Sequence, residues 1–158
     1  MANCEICEII PTIPEELTIS EGTYCIANLR EHDQTLLGTS FVTLKRHAAE
    51  LDDLTNQEEE ELILVRNSLI RAIRTSFQPI TFNISCLKND AFKSNPSNPS
   101  DAAHVHWHIK PRYRPGITTV NDEDFSDPMP GRYLQNFERK TPSIDTAIGI
   151  VQIIKSHL

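Results

Sequence analysis

The run His104-Val105-His106-Trp107-His108-Ile109 alternates three histidines with three apolar residues, and a period of two over such a length is the signature of a half-buried β-strand. Successive strand side chains point to opposite faces, so the pattern predicts Val105, Trp107 and Ile109 in a core. His104, His106 and His108 then line up on the other face, roughly 6.5–7 Å apart. Histidines that merely solvate one side of a sheet are the bland alternative. That reading suits a single histidine, but three of the chain's six on one face of one strand weigh against it. Between His104 and Arg114 the segment carries Lys110, Arg112 and Arg114 and no carboxylate, within a chain of net charge −7. The overall charge argues against sequence-independent binding along nucleic-acid backbones and against an anionic membrane surface. Local basicity in an acidic chain suits a small phosphorylated ligand better than a polymer.

At 158 residues one domain is expected, long enough to bury roughly two-thirds of its unfolded surface without staples. Glu5 and Glu8 interrupt the start and no apolar run reaches the roughly 18 residues of a membrane helix, so no signal peptide or spanning segment is read and a cytoplasmic protein is expected. In a reducing compartment Cys4-Glu5-Ile6-Cys7 reads as a metal knuckle or a redox pair rather than part of a disulfide framework. Cys25 and Cys86 each lie in a strand-like run and are expected to be small apolar fillers.

Taken in order, Cys4 to Ile10 has the spacing of one short helical turn, ended by Pro11 and Pro14. Thr23 to Leu29 and Thr39 to Leu44, separated by a loop ending at Gly38, read as an antiparallel pair of strands, with Lys45-Arg46-His47 at its far end. Thr55-Asn56-Gln57-Glu58 is a capping box. Leu62, Val65, Leu69, Ala72 and Ile73, widened by Ile63 and Ile70, then recur at helical spacing, so a helix to about Phe77 is expected to pack on the sheet. Pro79 marks a break, and Ile80 to Leu87 alternates well enough for a third strand. Lys93 to Asp101, interrupted by Pro96 and Pro99, is expected to be a polar loop without regular structure; it is either a flap over the site or a surface insertion. The segment over about 115–140 is expected to be an ordered but irregular lid or edge anchored by Phe125, Tyr133, Leu134 and Phe137. Thr141-Pro142 reads as an N-cap and first helical residue of a closing helix over about 142–157. Its apolar stripe is Ile144, Ala147, Ile148, Val151 and Ile153 or Ile154, with Lys155 and His157 favouring the C-terminal end. These elements together predict an α+β fold: an antiparallel sheet of about five strands, the Thr55–Phe77 helix on one face, and the histidines exposed toward a cleft.

The run from His104 to Lys110 resembles the histidine triad motif, His-φ-His-φ-His-φ-φ with φ apolar, of the histidine triad nucleotide hydrolases and transferases. Lys110 stands where that pattern has its last apolar residue, and Pro111-Arg112-Tyr113 continues as such proteins often do. Agreement extends over most of Met1 to about Arg139, and Lys45-Arg46-His47 matches the Lys-x-His that follows the corresponding family strand. The resemblance implies a single histidine triad domain over 1–158, a small nucleotide as substrate, and pairing of chains into a homodimer. In the zinc-binding branch, and in the related galactose-phosphate uridylyltransferases, histidines at the positions of His47 and His104 complete a structural zinc site, here with Cys4 and Cys7. Two reduced cysteines beside a surface histidine are the alternative.

The same resemblance makes His106 the nucleophile, whose imidazole attacks an α-phosphorus to form a covalent nucleotidyl intermediate that water hydrolyses. His108 corresponds to the residue that hydrogen-bonds phosphate and protonates the leaving group. Asn83 and Asn89 fall where relatives place amides against the phosphates or nucleotide, and Asn28 where the ribose is touched. Ser100, preceded by Pro99, stands where many relatives have the glutamine of a Gly-Gln pair, and its shorter reach bears on leaving-group contacts. Three functions follow as alternatives. One is an enzyme cleaving a nucleoside phosphoramidate or dinucleoside polyphosphate; another is a nucleotide-binding or scaffolding protein that kept zinc and the pocket but lost turnover. A nucleic-acid repair relative with an adenylate-removing role is disfavoured by the −7 charge and the lack of a basic extension.

Overall fold

Short runs rich in β-branched and aromatic residues form one antiparallel sheet in the computed structural model, which describes residues 4–133 and 137–158. Its strands are β1 (Thr18–Glu21), β2 (Cys25–Leu29), β3 (Ser40–Leu44), β4 (Thr81–Ser85) and β5 (His106–Arg112), in the order β1-β2-β3-β5-β4. The expected pair is β2 and β3, in unbroken register from Cys25–Leu44 to Leu29–Ser40. β1 had no clear alternation of its own; it supplies the fifth strand by pairing with β2 through an irregular step between Thr18 and Ser20. The histidine strand begins at His106 rather than His104. Val105 leaves the ladder, its N–H donating to Ala48 O at 2.9 Å and its carbonyl accepting from Leu44 N at 3.2 Å. At its other end β5 runs through Pro111, beyond the Ser40–Ile109 pair, where it pairs with β4 alone, and a proline is tolerated at such a one-sided position.

The N-terminal turn α1 (Glu5–Ile9) continues into a tighter turn at Ile10–Thr12, as the prolines require. Helix α2 (Asn56–Phe77) starts at the predicted capping box and ends at Gln78, whose φ of 55° is left-handed. Leu62, Leu69, Ala72, Ile73 and Phe77 of α2 are buried, whereas Ile63 is 42% exposed and does not widen the stripe. Contrary to the expected loop, two short helices precede β5: α3 (Asn89–Ser94) and α4 (Pro99–Ala102). Pro99 opens α4, where a missing N–H removes no helical bond, so the proline starts a helix here instead of forbidding one.

Within the segment expected to be irregular, β6 (Thr118–Val120) and β7 (Glu123–Phe125) form a hairpin. Asn121 and Asp122 both have positive φ, 48° and 62°, as a two-residue type I′ turn demands. Phe125 is buried and Phe137 half-buried, but Tyr133 is 87% exposed and anchors nothing; Leu134 lies outside the described residues. The anchor is ionic instead. Arg112 donates from Nε to Asp127 at 2.7 Å and from its other nitrogens to Met129 O and Arg132 O at 2.5 and 2.9 Å.

The closing helix α5 (Ile144–Lys155) is capped by Ser143, whose Oγ accepts from Thr146 N at 3.2 Å. Thr141 does not cap it, because its hydroxyl donates to His32 O at 3.0 Å. Ala147, Ile150, Val151 and Ile154 face the core against α2 and β1, while Ile144 is 59% exposed in the first turn. One apolar cluster thus fills the space between α2, α5 and one face of the sheet. The other face is left for the histidines. No helix among the described residues is long and apolar enough to cross a membrane.

Candidate active site and metal centre

The two faces of β5 divide as the alternation predicts. Val105 and Ile109 are fully buried toward α2, and Trp107 is half-buried with the Arg66 guanidinium 5.7 Å above its ring. On the opposite side the histidines are not uniformly exposed: His106 and His108 are half-buried, but His104 is 1% exposed because the N-terminal turn covers it. Cys4 and Cys7 come from that turn, His47 from the loop after β3, and His104 from the residues leading into β5.

His104 Nε2–H donates to Leu44 O at 2.7 Å, which leaves its Nδ1 lone pair directed at Cys4 Sγ and Cys7 Sγ, each 3.4 Å away. His47 Nδ1 lies 3.6 Å from Cys7 Sγ, and all four candidate ligand atoms fall within 4.8 Å of one another. A tetrahedral metal with bonds of about 2.3 Å to sulfur and 2.0–2.1 Å to nitrogen sets ligand separations of about 3.4–3.8 Å. Three of the separations already lie in that range and the rest stay within 4.8 Å, so small side-chain shifts would close the four residues on a divalent metal. The carbonyl that fixes the His104 tautomer is the outer partner such a ligand requires. Burial, together with Cys4 and the charge of Glu8, pushes the Cys7 thiol up to about 11, so a second thiolate here calls for a cation beside it. Cys25 is also driven up, to about 12, by burial and by Glu61, and is an inert filler as its strand setting suggested.

Beyond the metal centre, His106 Nδ1–H donates to His104 O at 2.8 Å. Its bare Nε2 then faces His108 Nε2 at 3.0 Å, and only His108 can supply the proton between them. In that tautomer His108 Nδ1 carries a lone pair, buried without a hydrogen-bond partner. Burial, followed by His106, Lys110 and Arg30, pushes His108 down to about 3, against a smaller opposing effect of Asp90. Burial also lowers His106, opposed by its bond to His104 O and by Asp90. Phe41 walls the pair, its ring edge-on to His108 at 4.9 Å and to His106 at 5.9 Å.

Register decides which other candidates share this face. Asn28 pairs with Phe41, Phe41 with His108, and His108 with Ser85; one row further along β5, Asn83 pairs with Lys110. Directly cross-strand residues point the same way, so Asn28 and Asn83 belong to the histidine face. Asn28 is buried with Nδ2 donating to Leu29 O at 3.1 Å, and Asn83 is exposed. Asn89 opens α3, next to the Asp90 whose charge reaches His106. Ser100 is exposed on α4 and donates to Asn98 Oδ1 at 2.9 Å; no hydrogen bond joins Asn89 or Ser100 to the histidines among the described residues. Phe41, Asp90 and Arg30 were missed by sequence reasoning. The period of two in β3 was the available signal for Phe41, but nothing local marks Asp90 or Arg30. A cavity of about 330 Å³ lies elsewhere, between Leu37, Gln78, Tyr113 and Ile117. It holds no histidine or cysteine, so the open histidine face is the better candidate on chemistry.

No family model matches the chain. Among known proteins, the Protein hit of Bacillus subtilis is 30% identical over 114 residues, covering 72% of this chain and 74% of that protein. An AP-4-A phosphorylase of Mycobacterium tuberculosis is 30% identical over 108 residues, covering 66% of this chain and 51% of its own length, so the chain spans about half of it. Among solved structures, a Zn-bound histidine triad family protein from Mycobacterium smegmatis has the same fold, with a TM-score of 0.60 at 19% identity over 97% of this chain and 94% of that one.

Proposed function

The chain belongs to the histidine triad family, and on that premise we propose that it is a nucleotide hydrolase or transferase acting through a covalent nucleotidyl intermediate on His106. The bond cleaved is a nucleoside phosphate bond, in a nucleoside phosphoramidate or a dinucleoside polyphosphate. One observation carries this reading: His106 Nδ1–H is committed to His104 O at 2.8 Å, which leaves the Nε2 lone pair as the nucleophile beside His108. Fixing the tautomer through the second nitrogen is how an imidazole is readied for such a role.

In this mechanism the substrate phosphate takes over the His108 Nε2–H that His106 Nε2 accepts in the free protein. The freed His106 Nε2 lone pair forms a bond to the α-phosphorus while the bond to the leaving group breaks, its electron pair departing with that group. A phosphate anion seated on this face offsets the charges that depress His108, so His108 takes up a proton and delivers it to the leaving group. Water then cleaves the N–P bond and regenerates His106. Asn28, Asn83, Asn89 and Ser100 supply polar contacts to the nucleotide. Cys4, Cys7, His47 and His104 would hold zinc, which when bound supplies a structural cross-link and takes no part in the reaction.

Replacing His106 by alanine tests the assignment. Turnover should fall by several orders of magnitude while nucleotide affinity changes far less, as when an interaction made only in the transition state is lost. Quenching the wild-type reaction early should trap an acid-labile nucleotide on the His104–Arg112 segment. Near-normal turnover of H106A, or a nucleotide mapped elsewhere, overturns the nucleophile. The bond from Ser100 to Asn98 favours a second reading, a nucleotide-binding protein without turnover, because it diverts the one hydroxyl at the glutamine position. Product analysis with adenylyl and guanylyl phosphoramidates and dinucleotides separates the two.

A further inference from the structure

Next to His108 on the same face of β5 stands Lys110, where the histidine triad pattern has its last apolar residue. Continuing the register one row past Asn28–Phe41–His108 brings Arg30 alongside, since Arg30 N donates to Thr39 O at 3.0 Å just beyond the Leu29–Ser40 pair. The Arg30 guanidinium lies 5.5 Å from the centroid of the Phe41 ring, the same ring that contacts both histidines. Arg139 approaches from the segment before α5 and shares Asp33 with Arg30, at 3.9 and 3.5 Å. Lys110 is half-buried and has neither an ion pair nor a side-chain hydrogen bond among the described residues. Burial, then Arg30 and Arg139, lower its pKa, and Asp33 is the carboxylate that opposes them. The second acid within range of Arg30, Asp90, is tied to Lys93 at 2.7 Å.

Three cations thus converge on one carboxylate in a protein of net charge −7. Neighbouring like charges on partly desolvated groups are unfavourable unless a counter-charge joins them. The strand period places that unmet charge one same-face step, roughly 6.5–7 Å, from His108. We propose that Arg30, Lys110 and Arg139 form a second anion subsite, which binds a further phosphate group carried by the same nucleotide whose α-phosphate faces His106. The inference rests on the histidine-centred reading above and narrows its substrate class to nucleotides with at least one phosphate besides the one attacked. That phosphate belongs either to a polyphosphate chain or to the ribose, and the same cations would recognise both.

Calorimetric binding to the intact, zinc-supplied protein separates these cases, with adenosine and guanosine series of the nucleoside monophosphate, the diphosphate, and the bisphosphate bearing its second phosphate on the ribose. Charge-assisted bonds to one added phosphate should tighten binding about tenfold or more over the monophosphate. A gain in the diphosphate identifies a chain phosphate, and a gain in the bisphosphate a ribose phosphate. Lys110→Met should reduce that ratio several-fold, and raising the ionic strength should reduce it too. Arg139→Gln alters a largely exposed side chain, so it should do likewise even if Lys110→Met folds poorly. A second phosphate that adds less than about twofold in both arms, or a ratio unchanged in both variants, overturns the subsite. If the monophosphate binds and His106-dependent turnover is present, such a result removes the subsite alone. If no nucleotide binds, the subsite and the proposed function fall together.

Discussion

His108 shows how much one side chain's chemistry depends on its neighbours. Burial, His106, Lys110 and Arg30 hold it near 3 in the free protein, so at neutral pH its ring is uncharged, protonated on Nε2 and bare on Nδ1. His106 should be the opposite tautomer, protonated on Nδ1 by its bond to His104 O. Ring nitrogen chemical shifts check both statements. They should show two different neutral tautomers, with His108 remaining neutral well below the ordinary 6.5 and taking up a proton at higher pH once a nucleotide is bound. A His108 that titrates normally in the free protein overturns this picture. His108→Ala should then slow substrates with poor, high-pKa leaving groups by about 10²–10⁴-fold and spare those whose leaving group needs no proton. Neither tautomer is legible in the sequence, because each is set by an acceptor that strand geometry, not sequence order, brings into place.

At the scale of elements, the capping box of α2 does more than start a helix. Glu58 reaches back to Thr55 N at 2.8 Å and also accepts two bonds from Arg46, at 2.5 and 2.7 Å, so the residue before His47 is pinned to the N-terminus of α2. The Arg46 bonds first, then those from Thr55, hold Glu58 at about 2 despite its burial. Its folded pKa lies below the ordinary 4.5, so the unfolded chain binds the proton more readily. The stabilisation is therefore fully present above pH 4.5 and lost as pH falls toward 2. Glu58→Gln should lower the unfolding free energy most above pH 4.5, and its difference from wild type should shrink with acidification. Denaturant titrations at several pH values measure this, and a pH-independent difference argues against the ion pair. The box, the period of α2 and the paired strands β2 and β3 were all readable locally. The β6–β7 hairpin and the Ser143 cap were not, since Asn121 donates to Asp145 O and the Thr141 hydroxyl is diverted to His32 O, both distant in the chain. Helix α4 was missed because Pro99 can either end regular structure or open a helix.

For the whole molecule, the four candidate metal ligands join position 4 to position 104, so a bound metal would close most of the chain into loops around β3 and β5. Metal binding of this kind is coupled to folding. Protein purified without added zinc should carry one zinc per chain, and chelation or Cys4→Ser should lower the melting temperature strongly while leaving His106 and His108 in place. A metal-free chain of unchanged stability excludes the structural role. The sequence by itself determined the α+β class, the long helix, the strand with two faces and the Cys4–Cys7 pair, because periodicity and short spacing are local and survive without knowledge of partners. That His47 and His104 join the two cysteines was implied by the family resemblance alone, and the fold is what brings the four together. Only the tertiary structure decided that His104 is fully buried while His106 and His108 are half-buried, that Arg112 and Asp127 rather than Tyr133 hold the segment after β5, and that the charges of Arg30 and Arg139 reach Lys110. Burial and electrostatics depend on distances between residues far apart in the chain, and those distances exist only once the sheet has set its register.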